Sequence, residues 1–372
     1  MNEGYELDRT LLALIAAWAR GEEACDDARF DALAVSICSY QLATNAPYAR
    51  FAAAQGITPE RLPRTRAEIP AVPASAFKDA ILATFDVRRA ELEFHTSGTS
   101  GAASGRHYFE RAALYDASLS AAFERFMLAD GAKLRYLNLV PNARFRPHSS
   151  LGYMMGFVSV LRGDGKAQWF LNDEAPQGIP LVLDLDGFAR ALEGACAEGQ
   201  PVCIATTAFA AVALLEGLEE RGLAFAAPAG SRVMETGGFK GRSRVVERGE
   251  LYERLSARLG IPETSIVAEY GMTELASQYY DAPDSRGPGP RVKVAPPWLR
   301  TLVVDQAGRE VARGTTGFLR HIDLANRSSV LAIDTEDRGY ALGQGIVLLG
   351  RDSDAPLRGC SLDAEDLLGR TR

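Results

Sequence analysis

An α/β fold is expected from three features of the 372-residue sequence. Short apolar runs of strand length alternate with helical periodicity from about residue 134 onward, which indicates largely parallel pairing. Gly-rich and hydroxyl-rich turns follow two of the expected strands, where α/β sheets carry their ligand loops. The composition is 47% hydrophobic and 24% charged with a net charge of −7, which describes a globular body of enzyme size. That mild acidity excludes the basic footprint of a nucleic-acid binder. No apolar stretch reaches the roughly 18 residues of a membrane span. The acidic N-terminus lacks the basic start of a signal peptide, so a cytoplasmic location is expected.

In chain order, Leu7, Leu11, Leu14, Ile15 and Trp18 recur at helical spacing, and a second periodic stretch covers 30–51. Together they make residues 1–60 a helical region expected to rest on the main body. Proline density interrupts helices over 59–73. A short helix and then a strand are expected over 79–94, a Gly/Ser/Thr-rich loop over 95–106, and a long helix over 108–128. Strands are expected at 136–140, 169–171, 202–205 (followed by a helix to 221) and 266–268. The stretch 283–290 holds too much Pro and Gly for regular structure. Strands at 299–304, 317–322, 330–333 and 346–349 give the last hundred residues a β character. The five cysteines form no C-x-x-C pair, so free thiols are expected, with Cys25, Cys38, Cys196 and Cys203 in apolar surroundings.

Three segments carry candidate chemistry. The first is Phe94-His-Thr-Ser-Gly-Thr-Ser-Gly-Ala-Ala-Ser-Gly-Arg106, expected to leave a strand and enter a helix. Its N–H groups and hydroxyls suit phosphate oxygens, although it is neither a Walker loop nor a dinucleotide fingerprint. Composition alone fits a polar surface loop equally well. The second, Glu269-Tyr-Gly-Met-Thr-Glu274, follows an expected strand. An aromatic ring, a hydroxyl and a carboxylate there suit a base, a phosphate and Mg²⁺, and Thr-Glu equally suits a helix N-terminus. The third, Asp334-Thr-Glu-Asp337-Arg-Gly339 with Gly350-Arg351, also reads as a pair of polar turns.

These motifs occur in the order and rough spacing of adenylate-forming enzymes. Within that superfamily the sequence most resembles the LuxE family of acyl-protein synthetases, through the Phe-His-Thr-Ser-Gly-Thr-Ser-Gly wording, the Thr-Glu-Asp turn and the ending Leu357-Arg-Gly-Cys-Ser-Leu-Asp-Ala-Glu365. The resemblance covers about residue 70 to the end. It implies an adenylate-forming large domain over 1–349 and a short, truncated C-terminal segment over 350–372. It also implies an ATP- and Mg²⁺-dependent ligase that activates a carboxylic acid, a fatty acid in the family, as an acyl-adenylate.

By that resemblance Thr96, Ser97, Gly98, Thr99, Ser100 and Gly101 would hold the outer phosphates. Tyr270 and Gly271 would lie at adenine, Thr273 at the α-phosphate, and Glu274 would bind Mg²⁺. Asp337 would accept the ribose hydroxyls, with Arg351 helping. Gly237 and Gly238, in Glu235-Thr-Gly-Gly-Phe-Lys240, would line the nucleotide and acyl pocket, and His148 would gate the carboxylate. Cys360 would accept the acyl group as a thioester and hand it to a reductase protein partner. A thiol beside Arg358 at the start of an expected helix over 362–368 is favoured as thiolate. Two departures stand out. No Lys occurs between 79 and 132, and only about 20 residues follow Arg351, so the lysine-bearing C-terminal domain of typical ligases is not expected. Arg106 is expected to stand in for the lysine that relatives carry in the phosphate loop, and Lys240, Arg242 or Arg244 for the one in the C-terminal domain. The competing readings are a phenylacetate-type CoA ligase and a non-catalytic adenylate-binding scaffold subunit.

Overall fold

The structure, a computed structural model, describes residues 3–22, 25–96, 104–171, 182–237 and 247–351. It divides into two compact units. The first comprises 1–122, 272–279 and 292–372, and the second 123–271 and 280–291.

The second unit is the α/β part. Strands Ile266–Tyr270, Arg232–Thr236, Val202–Thr207 and Arg135–Leu139 lie side by side in that order, all parallel, with Gln168–Trp169 at the edge. Four of them are wholly or almost wholly buried along their length, as expected of parallel strands covered on both faces. Helices Leu185–Glu198, Ala208–Glu220 and Arg248–Leu259 give Leu192, Leu214, Leu215 and Leu255 to a core that includes Ile204, Val233 and Ile266. Their boundaries are written locally. The Asp184 and Thr207 side chains accept from the N–H groups of Gly187 and Ala210. Gly199 and Gly260 end their helices in the left-handed region (φ 64° and 69°), which glycine adopts without a Cβ clash.

The first unit has helices Glu3–Ala19, Asp27–Thr44 and Ala46–Ala54 and an antiparallel sheet. Its strands run Leu299–Val304, Gly317–Asp323, Ala332–Leu342, Gly345–Arg351 and Val292–Val294 in neighbour order. The N-terminal helices are tied to this sheet region by polar bonds. Gln41 Nε2 donates to the Asn326 carbonyl at 2.9 Å, and its Oε1 accepts from the Leu331 N–H at 3.1 Å. The buried Arg327 guanidinium is held between Asp8 (2.7 and 2.5 Å) and Glu110 (3.0 Å).

Four expectations need correction. The helix expected over 108–128 begins only at Ala112, because Arg106–Phe109 is a strand. It pairs antiparallel with Leu92–His95, and Phe94 and Phe109 meet at 5.5 Å between ring centroids. The Gly/Ser/Thr-rich loop therefore joins two strands of a hairpin and does not enter a helix. Aromatic cross-strand contacts outweigh helical spacing there. The short helix expected after residue 79 is a single 3₁₀ turn, Val87–Arg89. The helix expected over 30–51 is two helices. Asn45 ends one by its N–H bond to Gln41 and starts the next by accepting from Tyr48 N–H, with Pro47 in the new first turn. Finally, Cys38 and Cys203 are buried and the half-buried Cys196 packs against the core of the second unit as expected, but Cys25 is only half-buried. Among the described residues no helix is long and apolar enough to cross a membrane.

Candidate active site

In the first unit the hairpin frames the phosphate-loop candidate. The Thr96 N–H donates to the Gly105 carbonyl at 2.9 Å, and the Thr96 hydroxyl accepts from the Gly105 N–H at 2.8 Å. Thr96 thus clamps the base of the loop, while Ser97, Gly98, Thr99, Ser100 and Gly101 lie outside the described residues. Arg106 sits on this hairpin, exposed, with Tyr108 and Glu93 holding its guanidinium charged.

Thr273 and Glu274 belong to the same unit, and their backbone is pinned at both carbonyls. His107 Nδ1 lies 2.9 Å from the Thr273 carbonyl. A carbonyl only accepts, so the hydrogen must be on Nδ1. Burial pushes the pKa of this wholly enclosed imidazole down to about 4, which keeps the ring neutral at pH 7. The ring lies 4.1 Å from the Phe109 centroid and 5.4 Å from that of Phe77. The next carbonyl, of Glu274, accepts from Asn326 Nδ2 at 2.8 Å. Beyond it, the fully buried Asp323 carboxylate accepts from Ala276 N–H (3.0 Å), the Ser277 hydroxyl (2.8 Å) and Ala325 N–H (3.0 Å). Burial outweighs those bonds and pushes its pKa up to about 6.

Asp337 is buried on strand Ala332–Leu342, opposite Arg351 of the next strand, whose Nε donates to its carboxylate at 2.9 Å. Asp334 on the same strand accepts from the Arg320 guanidinium at 2.6 and 2.8 Å. These residues are strand residues in an antiparallel sheet, not a pair of polar turns.

In the second unit, Gly237 follows one parallel strand and Tyr270 ends the adjacent one, in which Glu269 stands opposite Thr236. The Thr236 hydroxyl donates to the buried Glu269 carboxylate. Tyr252 OH donates to Glu235 at 3.0 Å. Gly237 has φ 81°, a backbone state that a side chain there would strain. Tyr270 is buried to 9% exposure, and Gly271 follows it. His148 is half-buried just before Ser149, which caps helix Ser150–Arg162. Gly238, Lys240, Arg242, Arg244 and Cys360 lie outside the described residues.

Of the residues singled out, the first unit contains Thr96, Thr273, Glu274, Asp337 and Arg351. The second contains His148, Gly237, Tyr270 and Gly271. Sequence reading missed His107, Asn326 and Asp323, which carry no motif of their own. It also missed Glu269 and Thr335, which stand inside quoted motifs and were visible by that signal alone.

The fold defines the class. The chain is similar to 2-hydroxyisobutyryl-CoA ligase in complex with 2-HIB-AMP and CoA, at 16% identity and a TM-score of 0.62, over 90% of this chain and 76% of that one. It is also similar to ATP-bound MatB from Rhodopseudomonas palustris, at 17% identity and a TM-score of 0.51, over 74% of this chain and 51% of MatB. The architecture is thus that of the acyl-CoA synthetase-like adenylate-forming enzymes, as the motifs predict. No curated protein matches the sequence. Residues 28–368 match the model of the acyl-protein synthetases, LuxE, and the chain belongs to that family.

Proposed function

We propose that this protein is an ATP-dependent acid–thiol ligase that activates a carboxylic acid as its adenylate and then acylates its own Cys360. Membership of the acyl-protein synthetase family over 28–368, a span that includes Cys360, carries the reading. The pinned Thr273–Glu274 backbone and the enclosed Asp337 carboxylate support it.

A carboxylate resists nucleophiles because its leaving group would be oxide. In the proposed first step its oxygen attacks the α-phosphorus of ATP, a new O–P bond forms, and pyrophosphate leaves with the electron pair of the broken P–O bond. Thr96 and the loop it closes would hold the outer phosphates, Thr273 the α-phosphate, Asp337 the ribose hydroxyls, and Tyr270 the adenine face. Glu274, the residue after Thr273, offers a buried carboxylate, a hard oxygen donor that suits Mg²⁺. That ion would supply charge neutralisation at the phosphates. In the second step the Cys360 thiolate attacks the acyl carbon, a C–S bond forms, and AMP departs with the electrons of the broken C–O bond. The resulting thioester, with a fatty acyl group the favoured cargo, would pass to a reductase protein partner.

The test is the intact mass of the full chain after incubation with ATP, Mg²⁺ and a set of carboxylic acids, without CoA. A hydroxylamine-labile acyl adduct that disappears in Cys360→Ala is expected. AMP release that requires CoA would replace this reading by a CoA ligase. ATP binding with neither product would point to a scaffold subunit.

A further inference from the structure

The strand that carries Asp337 is irregular at that residue. Its neighbour pairs Arg320 with Asp334 and Phe318 with Arg338, so Thr335, Glu336 and Asp337 stand together opposite the single residue Leu319. The register on the other side also shifts next to Asp337, between Arg338 and Gly339. Such bulges leave ladder groups unpaired and re-aim side chains, and they need local bonds to hold one shape. One side chain supplies those bonds. The buried Thr335 hydroxyl donates to the Leu319 carbonyl at 2.8 Å and accepts from the Asp337 N–H at 3.2 Å. Thr335 and Asp337 share the inner face of the strand, while Glu336 between them is exposed.

We propose that Thr335 is a positioning residue for the nucleotide ribose: its hydroxyl fixes the bulge that aims the Asp337 carboxylate. This rests on the reading of Asp337 as the ribose acceptor. A hydroxyl suits the task because it donates and accepts at once, and the β-branched carbon restricts its rotamers. Thr335 itself touches no nucleotide. Its effect is specificity for a ribose over a deoxyribose, transmitted through Asp337.

The experiment compares the dissociation constants of ATP and 2′-deoxy-ATP for the full chain by calorimetry, which needs no knowledge of the acid. The unmodified protein is expected to favour ATP about tenfold, the scale of one hydrogen bond to a charged acceptor. Asp337→Ala should bring that ratio near one. Thr335→Val, which keeps the bulk and removes the hydroxyl, should weaken ATP about fivefold to tenfold and 2′-deoxy-ATP, which offers Asp337 only its 3′-hydroxyl, clearly less. Thr335→Ser should retain the ratio. If Thr335→Val does not fold, Thr335→Cys, with a weak donor of similar size, repeats the comparison. Equal weakening of both nucleotides in Thr335→Val would reduce Thr335 to a structural residue and overturn the proposal. An unmodified protein that does not discriminate would instead remove Asp337 from the ribose.

Discussion

The two units solve burial differently. The second buries near-continuous apolar strands such as Ile204–Ala205 and Val233–Met234 under helices whose inner faces are mostly Leu and Ala. It also encloses Glu235, Glu269 and the Asp281–Arg291 pair, while the first encloses the Arg327 guanidinium between Asp8 and Glu110, Asp323 under backbone N–H groups, and the neutral imidazoles of His107 and His321. Apolar burial tolerates small misfits, because dispersion and area are non-directional. Buried charge does not, since removing one partner leaves the other desolvated. The Arg327 cluster of the first unit should therefore fail at single polar atoms, and the leucine core of the second through lost volume.

The largest expected effect follows from that contrast. Arg327→Met leaves Asp8 without its cation and Glu110 with only the exposed Arg89 at 3.4 Å, and a loss of about 3–5 kcal/mol is expected in denaturant unfolding. A loss below about 1 kcal/mol would show that the ion cluster is solvated and break the contrast. Leu215→Ala removes a side chain wholly enclosed in the other core, and about 2–5 kcal/mol is expected according to how far the cavity collapses. Hydrogen exchange should show the lost protection in strands Val202–Thr207 and Arg232–Thr236. Protection lost elsewhere first would refute the assignment of Leu215 to that core.

A smaller effect is a slope with pH. Burial lowers the folded pKa of His107 and of His321 to about 4, below the usual 6.5. Their contribution to stability is therefore present above about pH 6.5 and is lost as pH falls toward 4. Asp323 has the opposite sign. Its pKa is raised to about 6, so its contribution is present below about pH 4 and is lost as pH rises through 6. Between pH 4 and 6 the groups oppose each other. Asp323→Asn should steepen the acid loss of stability by up to about 1.4 kcal/mol per pH unit, and His321→Phe should flatten it. Parallel stability–pH curves for both variants and the unmodified protein would disprove those folded-state pKa values.

The legibility of the chain follows the same division. The strand expected over 299–304 has those bounds, and those expected at 136–140 and 266–268 are misplaced by a residue or two at their ends. Each is a short apolar run, whose burial dictates its conformation. The strand expected before residue 95 is Leu92–His95, but its pairing with Arg106–Phe109 was not legible, because it rests on Phe94 meeting Phe109 and Tyr115 at 5.5 and 5.1 Å, contacts between segments. Of the site, the motif residues Thr96, Thr273, Glu274, Asp337 and Arg351 were named by pattern, but not the groups that hold them. His107 lies 166 positions from Thr273, and Asn326 lies 52 from Glu274.

What the sequence by itself determined was the α/β class, the family and the motif residues, since these depend on residue type, short spacing and order along the chain. The tertiary structure alone decided that the Gly/Ser/Thr loop closes a hairpin, that a neutral imidazole fixes the Thr273 carbonyl, and that Thr335 shapes the bulge at Asp337. The physical reason is common to all three. A hydrogen bond or ring contact between distant segments is set by where folding brings two atoms together, and no local periodicity or propensity encodes that meeting.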